Sequence, residues 1–111
     1  MIHSLVSEGH EIVVIDSDRE VIDCITTNYD VMGICSQATS CKALTEANVG
    51  SAELFIAAAD SDDINMLSCF LAKRMGAKHT VARIRSGEYT SSDLDFMKKQ
   101  LELSMVINPE R

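Results

Sequence analysis

Hydrophobic and polar positions along this chain switch repeatedly between the spacing of helices and that of buried strands. Residues 1–8 carry Ile2, Leu5 and Val6 on one helical side and stop at Gly9, a residue type that ends helices in a left-handed conformation. Residues 11–15 are apolar almost throughout, as in a parallel strand covered on both faces. Asp18 can cap a helix in which Val21, Ile22 and Ile25 recur at helical spacing, with Asn28 near its end. A second strand is predicted over 31–35. The polar stretch 36–40 follows, then a short helix through Leu44 and Ala47 to Val49 and Gly50. Residues 53–58 form a third strand, with Leu54, Phe55 and Ile56 at its centre. The acids of Asp60-Ser61-Asp62-Asp63 suit the positive end of a helix that runs through Met66, Leu67, Phe70 and Leu71 to Gly76. A fourth strand over 79–84, a helix over 91–101 and a short strand over 105–107 complete the pattern.

Such βαβαβαβαβ alternation predicts an α/β fold: a doubly wound parallel sheet with right-handed crossovers and helices on both faces. No composition break, linker or low-complexity tract divides the 111 residues, so one domain over 1–111 is expected. The first predicted helix has no strand before it. In a doubly wound sheet that preceding strand is central, between the strand ending at Asp16 and the strand over 53–58. Without it both neighbours lose a ladder, and the chain is expected to be unstable alone unless a partner or a swapped element fills the gap.

Composition narrows the function. A net charge of -7 with no basic cluster argues against a nucleic-acid backbone as partner. The longest apolar run, 54–59, falls far short of the roughly 20 residues that cross a bilayer, and no signal-peptide order opens the chain, so direct membrane insertion is not expected. Cys24, Cys35, Cys41 and Cys69 lack zinc-knuckle or disulfide-scaffold spacing and read as free thiols, small buried hydrophobes among apolar neighbours. His3, His10 and His79 add no ligand pair, and the acids at 60–63 lack the glycine turn and distal glutamate of a calcium loop, so no metal site is predicted. Met66, Met75, Met97 and Met105 read as core filler. Leu94, Phe96, Met97 and Leu101 supply an apolar helix surface for core or for self-association. No nucleophile stands beside a base, and no catalytic residue is expected.

Asp16 carries the sharpest chemistry. An acid at the tip of a buried strand is where dinucleotide-binding folds hold a ribose diol, because two carboxylate oxygens accept both hydroxyl protons. In those folds a Gly-rich phosphate turn lies about 20 residues earlier, and counting back from Asp16 the sequence runs out first. Asp16-Ser17-Asp18 is also a good turn sequence, so a plain turn or capping role stays open.

Gly9-His10-Glu11-Ile12-Val13-Val14-Ile15-Asp16, Ala38-Thr39, Leu44-Thr45-Glu46-Ala47, Ile56-Ala57-Ala58-Ala59-Asp60, Asn65-Met66 and the run from Val81 to Tyr89 resemble the N-terminal domain of TrkA-type potassium-uptake regulators. These are the RCK, or regulator of K⁺ conductance, domains, and the closing 105–110 also fits their pattern. The resemblance implies a Rossmann-like domain, with its first βα half-unit lacking, that binds NAD(H) or ATP/ADP at the cytoplasmic face of a membrane potassium transporter. It implies a regulator rather than an enzyme, built as a homo-oligomer, either a dimer or a higher ring. It places Asp16 on the ribose hydroxyls, Ala38 and Thr39 beside the adenine, Ala59 and Asp60 along the cleft, and Arg83 toward phosphate or the distal nucleotide half. It has Asn65 shape the helix start beside the cleft. Read from the residues alone, Arg83 and Arg85 are open to a plain surface ion-pair role as well as a ligand role.

Two features depart from the family pattern. The first strand and its Gly-x-Gly-x-x-Gly turn are lacking, and Ser36-Gln37 stands where many relatives have Gly-Asp. The small C-terminal ligand-binding domain of a typical regulator is also not in this sequence. Two rival readings follow. One is a structural assembly piece with a degenerate nucleotide site; the other is a small NAD-dependent oxidoreductase, for which no proton donor or substrate domain is visible.

Overall fold

All five positions of β1 (Ile12–Asp16) are buried, which is what a continuous apolar run requires when both faces of a parallel sheet are covered. A computed structural model describes residues 11–35, 40–103 and 105–107. In it β1 is joined by β2 (Met32–Cys35), β3 (Leu54–Ala57), β4 (His79–Arg83) and β5 (Met105–Ile107). Every pairing is parallel, and the strand order is β2-β1-β3-β4-β5.

The helices between the strands are started by short polar caps. Asp18 accepts from Glu20 N–H ahead of α1 (Arg19–Asn28), and Ser40 accepts from Ala43 N–H ahead of α2 (Cys41–Glu46). Ser61 opens α3 (Asp62–Met75) through Ile64 N–H. Thr90 and Asp93 close a reciprocal capping box on α4 (Ser91–Gln100). α3 ends at Gly76 with φ 124°, a conformation that favours glycine.

Period-two alternation divides the strands between two cores. Val13, Ile15, Phe55, Ala57 and Ala82 face Leu44 of α2, Met66, Cys69 and Ala72 of α3, and the half-buried Leu94 and Met97 of α4. Ile12, Val14, Leu54, Ile56 and Val81 face the opposite way, with Ile22 and Ile25 of α1. Helices therefore lie on both faces, as the alternation predicts. Gly33 lets α1 come close to the sheet edge, since a Cβ there would sit 2.8 Å from both Ile22 Cγ2 and Thr26 Cγ2.

The expected gap beside β1 is closed. β1 pairs directly with β3, Ile12 to Leu54 through Ile15 to Ala57, and no strand lies between them. Because both strands run the same way, each supplies the ladder partner the other needs. The stripped ladder on which the expected instability was based is therefore not present.

Other differences are local. The segment expected to be helical up to Gly50 breaks after Glu46 and resumes as a 3₁₀ turn, Val49–Ser51, with Asn48 left-handed at φ 56°. The cysteines do not share one environment. Cys69 is buried and Cys35 intermediate, whereas Cys24 and Cys41 are exposed. Cys24 lies two positions after Ile22, roughly half a helical turn from the face that packs on the sheet. Among the methionines, Met66 is core and Met75 is exposed. On α4 the apolar surface divides, with Leu94 and Met97 packed on the core and Phe96 65% exposed.

Candidate functional site

After β1 the chain crosses to β2 on one side, and β3 then takes up the other side of β1. The direction of winding therefore reverses between β1 and β3, and ligands of open α/β sheets bind at the carboxyl ends of the strands at such a reversal. Asp16-Ser17-Asp18 leaves β1 at this point, and Ala58-Ala59-Asp60 leaves β3.

The two exits are tied together. Ala58 N–H donates to Ile15 O at 2.8 Å, and Asp60 N–H donates to Ser17 Oγ at 3.1 Å. Asp16 is 6% exposed, and its Oδ1 accepts from Asp18 N–H at 2.9 Å. Beside it Cys35, the register partner of Asp16 on β2, directs its thiol at Ser17 O, 3.7 Å away.

Asn65, fully buried in the second turn of α3, brackets the ends of β3 and β4. Its Oδ1 accepts from Ala59 N–H at 2.7 Å, and its Nδ2 donates to Ala59 O at 2.9 Å and to Arg83 O at 2.7 Å. Asp62 performs a parallel task one turn earlier, accepting from the N–H groups of Arg85 and Ser86 at 2.8 Å each. The N–H groups of residues 58, 59 and 60 are therefore all engaged inside the protein. These three amides are not available to a bound anion.

Two cations lie beside these strand ends. Arg83 Nη2 and Arg85 Nη1 each lie 3.9 Å from Asp60 Oδ1, and Arg83 Nη2 also donates to Ala59 O at 3.4 Å. The Nε of Arg83 is buried and makes no hydrogen bond among the described residues. An open depression of about 540 Å³ adjoins them, lined by Asp60, Asp62, Asp63, Arg85, Glu88 and Tyr89 among others. Partial burial, then the charges of Asp63, Asp62, Glu88 and Asp93, raises the pKa of the Tyr89 phenol above its ordinary value.

Of the residues singled out in the sequence, Asp16, Ala59, Asp60, Arg83 and Arg85 converge on these strand ends through the contacts above. Ala38 and Thr39 lie outside the described residues. Asn65 holds two strand ends as well as standing near the helix start. Ser17 and Asp62 were not singled out as site residues. Their partners lie 43 and 23 residues away, and no local spacing signals them. Among the described residues no group of three or more His, Cys, Asp or Glu is placed to hold a metal ion, and no helix is long and apolar enough to cross a membrane.

Residues 1–109 match the TrkA-N domain family. The chain is 30% identical over 107 residues to a Trk system potassium uptake protein TrkA homolog of Methanothermobacter thermautotrophicus, covering 96% of this chain and 47% of that protein. It is 29% identical over 109 residues to the Trk system potassium uptake protein TrkA of Haemophilus influenzae, covering 96% and 24%. It thus spans half or less of the length of these relatives. In fold it is similar to the crystal structure of the TrkA-N domain of the inner membrane protein ybaL from Escherichia coli, with a TM-score of 0.66 at 15% identity over 98% of this chain and 77% of that one. The Rossmann-like parallel sheet read from the sequence is thereby matched in a solved domain. This chain belongs to the TrkA-N domain family.

Proposed function

We propose that residues 1–111 form a single nucleotide-sensing domain that regulates a membrane potassium-uptake system from its cytoplasmic face, working as a homo-oligomer and without catalysis. The observation that carries this reading is the convergence of an acid and two arginines at the winding reversal: Asp16 on β1, and Arg83 and Arg85 beyond it across β3. The names of the Trk system relatives support the potassium-uptake setting.

The residues fit an adenine nucleotide, NAD(H) first and ATP/ADP second, at two of its groups. Asp16 is a buried carboxylate with one hydrogen bond among the described residues, so it retains acceptor capacity for a ribose diol. Arg83 and Arg85 supply cationic donors for phosphate, where the engaged amides of residues 58–60 cannot. Ala59 and Asp60 line the cleft between these ends, with Ala38 and Thr39 assigned to the adenine. When bound, the nucleotide supplies charge and contacts rather than a reaction. A nucleotide that prefers one arrangement of paired domains shifts the population toward it, and the transporter's gate follows by that difference in affinity.

The test is NADH and ADP titration of the full chain and of Asp16→Ala. Loss of charge-assisted bonds to the diol is expected to weaken binding about tenfold to a hundredfold. Unchanged affinity would remove Asp16 from the site.

A further inference from the structure

We infer that Asp60 is a built-in competitor for the anionic part of the ligand: its carboxylate stands between the guanidinium groups of Arg83 and Arg85, where a phosphate group would stand. This rests on the nucleotide reading above and identifies what regulates the anion end of that cleft.

One oxygen, Asp60 Oδ1, is shared by both cations at 3.9 Å, too long for a hydrogen bond. Arg83 is correspondingly under-used. Arg83 adds only a 3.4 Å contact to Ala59 O, and its buried Nε has no hydrogen bond among the described residues. This looseness contrasts with the surrounding backbone, where the N–H groups of 58, 59, 60, 85 and 86 all have partners at 2.7 to 3.1 Å. A phosphate offers more charge and shorter charge-assisted bonds to the same two side chains than one distant carboxylate oxygen does.

Asp60 is built to be displaced. Its backbone is fixed through Ser17, yet its side chain is 77% exposed, so the carboxylate can rotate away while the strand end stays in position. Asp62, by contrast, has both oxygens committed to backbone amides and cannot move aside in this way. The displaced charge stays close, so Asp60 continues to oppose the phosphate after giving way. The opposition grows with the phosphate charge and is absent for an uncharged nucleoside.

The experiment is calorimetric titration of the full chain, wild type and Asp60→Asn, with inorganic pyrophosphate, ADP and adenosine. Asp60→Asn is expected to bind pyrophosphate about threefold to tenfold more tightly, the range spanned by one or two exposed ion pairs. The ratio of ADP to adenosine affinity should rise by the same factor. Both gains should shrink at about 1 M salt, where screening acts within about 3 Å, and vanish when Arg83→Gln and Arg85→Gln are added. Asp60→Ser guards against an effect of the asparagine amide itself. Pyrophosphate binding that is unchanged or weaker in both Asp60 variants overturns the inference, as does a gain that survives loss of both arginines. If no adenine ligand binds either protein while pyrophosphate affinity still rises, the nucleotide reading fails and the competitor role of Asp60 stands.

Discussion

Ser17 Oγ accepts the Asp60 N–H at 3.1 Å, so a hydroxyl just past the end of β1 fixes the first exposed residue beyond β3, 43 positions later in the chain. The bond closes the upper edge of a strand pair in which Ile15 O already accepts from Ala58 N–H.

Removing the hydroxyl leaves Asp60 N–H to water. Ser17→Ala is expected to lower unfolding stability by about 1 kcal/mol, the usual net value of one hydrogen bond, and Ser17→Thr to recover most of it. Urea denaturation of the three proteins checks this.

Asn65 carries a heavier load. Asn65→Ala leaves one N–H and two carbonyl groups at the ends of β3 and β4 without their partner, in a position with no exposure at all. A loss of about 3 to 5 kcal/mol is expected. Asn65→Asp keeps an acceptor for Ala59 N–H but sets a carboxylate against two carbonyl oxygens, and should be no better tolerated. The denaturation midpoint relative to wild type is the measurement.

Burial pushes the Cys69 thiol up from 9.0 to about 12, with a hydrogen bond from Ala57 partly offsetting the effect. The folded state therefore holds this proton more tightly than the unfolded chain does. The resulting stability is fully present below pH 9 and lost as pH rises toward 12, at about 1.4 kcal/mol per pH unit. Cys69→Ala should be less stable at neutral pH because it leaves a cavity, yet its midpoint should fall less steeply between pH 9 and 10.5. In the native protein iodoacetamide should label Cys24 and Cys41 quickly and spare Cys69.

At the sheet edge, Gly33→Ala would put a methyl group 2.8 Å from the Cγ2 atoms of both Ile22 and Thr26. Helix α1 must then move away from β2, at an expected cost of about 1 to 3 kcal/mol. Amide hydrogen exchange should show the loosening in α1 and β2, with β4 unaffected.

Much of this architecture was legible from local pattern. The apolar runs of β1 and β3, the cap at Asp18, the acids that open α3 and the glycine that ends it each follow from residues within a few positions of one another. The place of Asp16 at the tip of β1 was legible for the same reason, since strand, acid and turn are contiguous. What escaped depends on contacts between distant segments. The direct pairing of β1 with β3 is decided by which parallel edges are available, and Asp62 is engaged by amides that follow β4. The exposed Cys24 shows another limit, because apolar neighbours in sequence point to different sides of a helix.

The glycine pair at the far end of α3 gives the helix a mechanical character. A Cβ on Gly50 would come within 2.6 Å of Met75 O, and one on Gly76 within 2.7 Å of Gly50 O, so helix end and loop touch backbone to backbone. At the near end Asp62 and Asn65 fasten the helix to the strand exits. Fourteen residues span about 21 Å between these anchorages. α3 is thus a rod held at one end by backbone-to-backbone contact and at the other by short polar side chains.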